Sequence, residues 1–281
     1  VDVSDLNIWA NQVLADVSRE DGIAAAVSVT EKNGGPFANW ERLSFPEGPC
    51  QRYFGSAVYV ALLDRNHSIS RQYLEWAMIT AQRALEDERF AIASENSSNG
   101  WMNRPDFPGN MGEVRAVHAL SMSLFHDAPV DLDALKKGLH EIEQSALLSK
   151  GKNWSDRIVQ GRYLYAARLS MIAGDWETAS RMLSIKRKFD ILSQQFEILG
   201  IVAKEYSAGN GGGKIPPDAV GAFESYFQTV RSPAGKELLN AHSAWPANCY
   251  RLELSLIRQR ISANVLPFPD WNDVFKAMRE G

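Results

Sequence analysis

Two cysteines in 281 residues are too few for a disulfide scaffold. Cys50 and Cys249 lie far apart and show no Cys-x-x-Cys spacing. They read as two mostly buried thiols in a reducing compartment, and whether they meet is a question for the tertiary structure. Long hydrophobic runs are missing too. No stretch approaches the ~18 consecutive apolar residues of a membrane span. The run Ile23–Val27 follows Asp2, Asp5, Asp16, Glu20 and Asp21 and no basic region, so it is a poor signal peptide. The expected location is cytoplasmic, or periplasmic if a leader was removed before Val1. Charge of one sign is equally scarce. The 30 basic and 34 acidic residues leave a net charge of -4, which argues against a dedicated nucleic-acid binder.

That small excess is unevenly placed. Residues 1–50 hold eight acids and three bases, so this segment carries -5 and the remainder +1. One reading is a solvated surface. The other is a face, including Asp16, Glu20 and Asp21, that meets a basic partner, because complementary charge speeds encounter and selects partners.

What the chain has is helical periodicity. Ile69, Tyr73, Trp76, Thr80 and Ala84 recur at three-to-four spacing, as do Leu132, Leu135, Leu139, Ile142 and Ala146. Val220, Phe223, Phe227 and Val230 repeat the pattern, and Tyr250, Leu254, Ile257 and Ile261 do so again. Val27–Thr30 is the one short strand candidate. Turn formers separate the segments, with Asp131 placed as an N-cap and Gly174-Asp175 as a tight turn. The predicted fold is all-α, with about nine to eleven helices in antiparallel hairpins, stacked as a solenoid or a compact bundle. It is expected to be a single domain over residues 1–281, with a flexible break at 207–217.

The segment Tyr163–Ala179 resembles a tetratricopeptide repeat. Tyr163 opens the first helix, Ala166 and Ala167 permit close helix approach, Gly174-Asp175-Trp176 makes the turn, and Ala179 lies in the second helix. The resemblance covers about a tenth of the chain and has no second copy at the repeat period.

Catalytic motifs are weak. The stretch Gly209–Lys214 is followed by Ile215, Pro216 and Pro217, where a phosphate loop needs Ser or Thr and a helix. His118, Met122 and His126 share a helical face, but no third ligand accompanies the two histidines, so no metal and no cofactor is assigned. His140-Glu141 is not followed by the second histidine of a zinc-protease motif. Asp87 and Glu88 read as a solvated face, and Cys50, after a proline, lacks a partner that would mark it as reactive. No catalytic residue is assigned. A helical enzyme would draw first on Glu113, Arg115, His118 and Asp127.

The segment 96–110 reads as a long polar and aromatic loop, and such loops are often functional. It supplies Trp101, Arg104, Asp106 and Phe107 as candidate partner-binding residues, since Trp and Arg are frequent interface anchors. In size, mild acidity and helical character the chain resembles the all-helical immunity proteins that bacteria make against secreted toxins of the type VI kind. The resemblance implies a non-enzymatic module that binds and neutralises a cognate toxin effector, with no nucleic acid or membrane as partner. A helical enzyme and a tetratricopeptide-like adaptor or chaperone are the alternatives. The oligomeric state is not readable from the sequence.

Overall fold

The computed structural model describes residues 31–38, 40–43, 46–63, 67–90, 107–148, 155–184, 190–210, 216–217, 219–222, 225 and 228. Of these, 84% are helical and none lies in a strand. Ordinary soluble domains are roughly one-third helix, so the fold is all-α, as the periodicity predicts. The candidate strand Val27–Thr30, the helix expected from Tyr250 and the thiol of Cys249 lie outside the described residues.

Among the described residues, seven α-helices have defined bounds: α1 (Glu47–Leu63), α2 (His67–Glu86), α3 (Phe107–His126), α4 (Leu132–Leu148), α5 (Ser155–Ile172), α6 (Trp176–Leu183) and α7 (Asp190–Ser207). Each packs on the next, and α1 also reaches α3. Paired residues give the directions. The Ser70 hydroxyl donates to the Ala57 carbonyl at 2.7 Å while Tyr53 stacks on Tyr73, so α1 and α2 are antiparallel. Between α3 and α4, Ala116 faces Gly138, Arg115 faces Glu141, and Gly109 faces Ser145, which is again antiparallel.

The predicted stripes are largely the buried ones. Tyr73, Trp76, Thr80 and Ala84 of α2 face the core, as do Leu135, Leu139 and Ile142 of α4. Leu132 departs from its stripe and is 51% exposed. It stands in the first turn of α4, at the turn end of the α3–α4 hairpin, where Met122 of α3 is exposed as well. The loop expected over 96–110 ends early, because residues 107–110 already form the first turn of α3. Pro108 is compatible with that turn, where its missing N–H would have had no helical acceptor.

The helix ends follow capping chemistry. Asp131 caps α4 by accepting from the Ala134 N–H at 3.0 Å. The α5–α6 turn is a Schellman motif. Gly174 has φ +76°, its N–H reaches the Met171 carbonyl at 3.1 Å, and the Asp175 N–H reaches Ser170 at 2.8 Å. Asp175 then caps α6 through the Thr178 N–H at 3.1 Å. Ala166, Ala167 and Ala179 are fully buried in this hairpin, and Trp176 stacks on Tyr206 of α7 with ring centroids 4.3 Å apart.

The approach of α3 to α4 is glycine-mediated. A Cβ on Gly112 would lie 2.5 Å from the Gly138 carbonyl oxygen, and one on Gly138 would lie 2.5 Å from the Gly112 oxygen. The backbones of α3 and α4 therefore touch where neither residue has a side chain.

A segment ahead of α1 is tied along α2. Trp40 donates its indole N–H to Asp87 at 3.0 Å and meets Phe37 and Phe90 edge to face. Arg83 stacks over the Trp40 and Phe37 rings. Arg89 binds Asp87 through two nitrogens and donates to the Trp40 and Glu41 carbonyls. The expectation that Asp87 belongs to a solvated face is thus corrected: an indole and a guanidinium converge on it, which no helical spacing foretells.

Two outcomes follow from this packing. Gly112→Ala should lower the unfolding free energy by about 2 kcal/mol in denaturant titration, because the contacting atom is rigid backbone. The Arg89 guanidinium, helped by the Trp40 indole, holds the Asp87 carboxyl down at about 2, below its ordinary 3.8. Its contribution is therefore complete above about pH 4 and lost as pH falls toward about 2. Asp87→Asn should flatten that part of the stability–pH curve; an unchanged acid limb would contradict the assignment.

Candidate functional site

Of the residues singled out for partner binding, Trp101, Arg104, Asp106, Asp16, Glu20 and Asp21 lie outside the described residues, and of Phe107 only the backbone, opening α3, is described. Two other acids of the first fifty residues lean on α2. Glu31 accepts from the Gln72 amide at 2.9 Å, and Glu41 lies 3.8 Å from Arg83. Part of the acidic excess is thus engaged within the fold.

The enzyme-candidate residues can be followed individually. Glu113 is buried on the inner face of α3. At about 100° per residue, Arg115 and His118 lie roughly 140–160° around the helix from it. Arg115 pairs with Glu141 of α4 at 3.2 Å. His118 is half-buried near Glu86, Arg115 and Asp131, and burial holds its imidazole below the ordinary value. Asp127 sits past the end of α3 with φ +52°, in the left-handed position that more often belongs to glycine. The four do not converge on one point.

Glu113 instead gathers a different set. Gln51 of α1 donates its amide N–H to Glu113 Oε2. Arg162 of α5 brings its Nε to 4.0 Å from Glu113 Oε1. The same guanidinium donates Nη1–H to Ser145 Oγ of α4 at 3.2 Å and Nη2–H to Asn110 Oδ1 of α3. Asn110, Glu113, Ser145 and Arg162 are all buried. Room for the guanidinium comes from Gly109, where a Cβ would stand 1.7 Å from Nη1. Burial pushes the Glu113 carboxyl up to about 7, and Arg162 offsets only part of that rise.

No family model, curated protein or solved structure matches this chain. What the cluster does must be read from its geometry. It joins α1, α3, α4 and α5 through one buried carboxylate and one buried guanidinium, each supplied with uncharged hydrogen-bond partners. That arrangement crosslinks helices, and it holds a carboxyl able to exchange a proton near neutral pH.

Cys50 is a free, fully buried thiol. Burial, opposed in part by a hydrogen bond with Thr80, pushes it up to about 12, so it stays protonated and unreactive. Among the described residues, no three His, Cys, Asp or Glu side chains are placed to hold a metal ion. No helix among them is long and apolar enough to cross a membrane.

Sequence reasoning picked out Glu113 but missed Gln51, Asn110, Ser145 and Arg162. Gln51 and Arg162 are 62 and 49 positions from it, and no local pattern links them. The available signal was Arg162 itself, a charge on a helix whose next residues, Tyr163 to Ala167, are all buried.

Arg162→Met should lower stability by about 3 kcal/mol, since removing one partner of a buried pair leaves the other uncompensated. Adding Glu113→Gln in that background should recover part of the loss. A double variant no more stable than the single one would show that the two groups are not coupled.

Proposed function

We propose that this chain is a non-enzymatic protein-binding module, an immunity protein that binds and neutralises a cognate antibacterial toxin. The observation that carries the reading is the dispersal of its chemically capable side chains. Glu113, Arg115 and Arg162 are each engaged between helices, while His118 lies about 140° around α3 from Glu113 and Asp127 sits past the end of that helix. A chain that commits its polar residues to holding helices together is suited to presenting a fixed outer surface. Packed antiparallel hairpins, including the tetratricopeptide-like pair α5–α6, provide a rigid support for one. The acidic excess of the first fifty residues suits a basic partner, as a nuclease toxin would be. On this reading the chain acts in the cytoplasm, or in the periplasm if a leader precedes Val1, and uses neither a cofactor nor nucleic acid.

An enzymatic reading has one observation in its favour, the near-neutral carboxyl of Glu113, which is the property a general acid or base needs. Against it stands the enclosure of that carboxyl by Gln51 and Arg162 at 3% residue exposure.

The deciding experiment is co-expression with the product of a neighbouring reading frame that arrests growth. The full chain should restore growth and co-elute with that product on gel filtration; no rescue and no complex would reject the proposal. In the same assay Trp101→Ala combined with Phe107→Ala should weaken binding by more than ~1 kcal/mol if these residues are anchors. Unchanged affinity with a lowered melting temperature would assign them to the core.

A further inference from the structure

We propose that the groove over α3, between α2 and α4, is the docking surface for a basic amphipathic helix of a protein partner. From Gly109 to His126, α3 reaches solvent only at Arg115, His118, Met122, Phe125 and His126. At about 100° per residue these five fall within roughly 100° of arc, on the side of α3 opposite Glu113, and make one stripe about three turns long. α2 and α4 both pack on α3 and are not a packed pair themselves, so the stripe lies between them. Arg71 of α2 stands over the Phe125 ring at 4.3 Å, and Glu141 of α4 meets Arg115 at 3.2 Å, which marks the two walls. Met122, on the floor, is 36% exposed; among the described residues only Leu132 joins it as an exposed large hydrophobic side chain.

Charge names the occupant. Glu86 of α2 and Asp131, the cap of α4, both act on the His118 imidazole, so a carboxylate stands on each wall. Glu75, Glu86, Asp127 and Asp131 are exposed around the stripe, against Arg71 and Lys137, while Arg115 and Glu141 offset one another. From Met122 to Leu135 the chain has three acids and no lysine or arginine. An apolar floor between acidic rims fits a ligand with an apolar line and a lysine or arginine on either flank. A helix presents that pattern on one side of its axis. An extended segment turns every second side chain away from the floor. The identity of the partner as a toxin rests on the function proposed above; the chemistry of the groove does not.

The test uses the full chain and two helical peptides of about four turns, one of leucine and lysine, the other with glutamate for each lysine. Methionine-methyl and histidine-ring NMR reads the response. The lysine peptide should shift the Met122 and His118 signals saturably, and the glutamate peptide should not. Met122→Glu and Glu86→Lys should each weaken the lysine peptide about tenfold or more at low salt, and the Glu86→Lys effect should shrink as salt rises. Both positions are exposed, so the melting temperature should hold; if a variant fails to fold, the two wild-type titrations decide. Equal response to the two peptides, shifts confined to other methionines, or variants that bind as the wild type would each overturn the docking site. A wild-type dimer on gel filtration that Met122→Glu disperses would overturn it in favour of a second copy of this chain. A cognate toxin that still co-elutes with both variants would reject the groove and leave the immunity reading standing. Lysine-peptide binding as described, with no toxin rescued, would reject the immunity reading and leave the groove.

Discussion

Where α3 crosses α4, the carbonyl of Gly138 occupies the place of a missing Gly112 side chain, and the carbonyl of Gly112 does the same for Gly138. This backbone contact sets the spacing of the hairpin, and the polar cluster depends on it. One turn back along α3, Gly109 leaves the opening that the Arg162 guanidinium fills. Ser145 of α4 is then near enough to accept from the same guanidinium as Asn110 of α3. A wider crossing would leave Arg162 with fewer acceptors, and a buried guanidinium without acceptors is strongly destabilising.

The cluster illustrates why buried ions in a helical stack are a matter of specificity more than of strength. Pairing in the interior recovers only part of the hydration that both groups give up. The raised proton affinity of Glu113 is the direct sign of that incomplete recovery. What the cluster supplies is register. Hydrogen bonds from α1 and α5 meet on α3 at Asn110 and Glu113, and a slip of one helix by a turn would strand several polar groups together. The same logic operates at the Trp40 tie, where an indole N–H and a guanidinium share Asp87 and fix one segment along α2.

Local patterns in the chain were legible because they are consequences of helix geometry. The stripe Tyr73–Trp76–Thr80–Ala84, the Asp131 cap and the Gly174-Asp175 turn all occur as read, since each needs only residues within a few positions of one another. Boundaries were less legible. Pro108 and Gly109 resemble loop residues, yet one suits a first helical turn and the other clears space for Arg162. Asp87 resembled a surface acid because Trp40 lies 47 positions away. Leu132 fitted its stripe but stands beyond the part of α4 that is covered.

The sequence by itself determined the all-α class, the interior faces of the helices and several of their ends. These follow from 3.6-residue periodicity and capping, which act over one or two turns. Only the tertiary structure decided what surrounds Glu113. As one acid on a helix it could have been a surface charge, a catalytic base or a metal ligand. The meeting of α1, α3, α4 and α5 made it a buried carboxyl with one guanidinium 4.0 Å away. Its proton affinity is set by desolvation and by neighbours distant in sequence, and neither is encoded in the residues beside it.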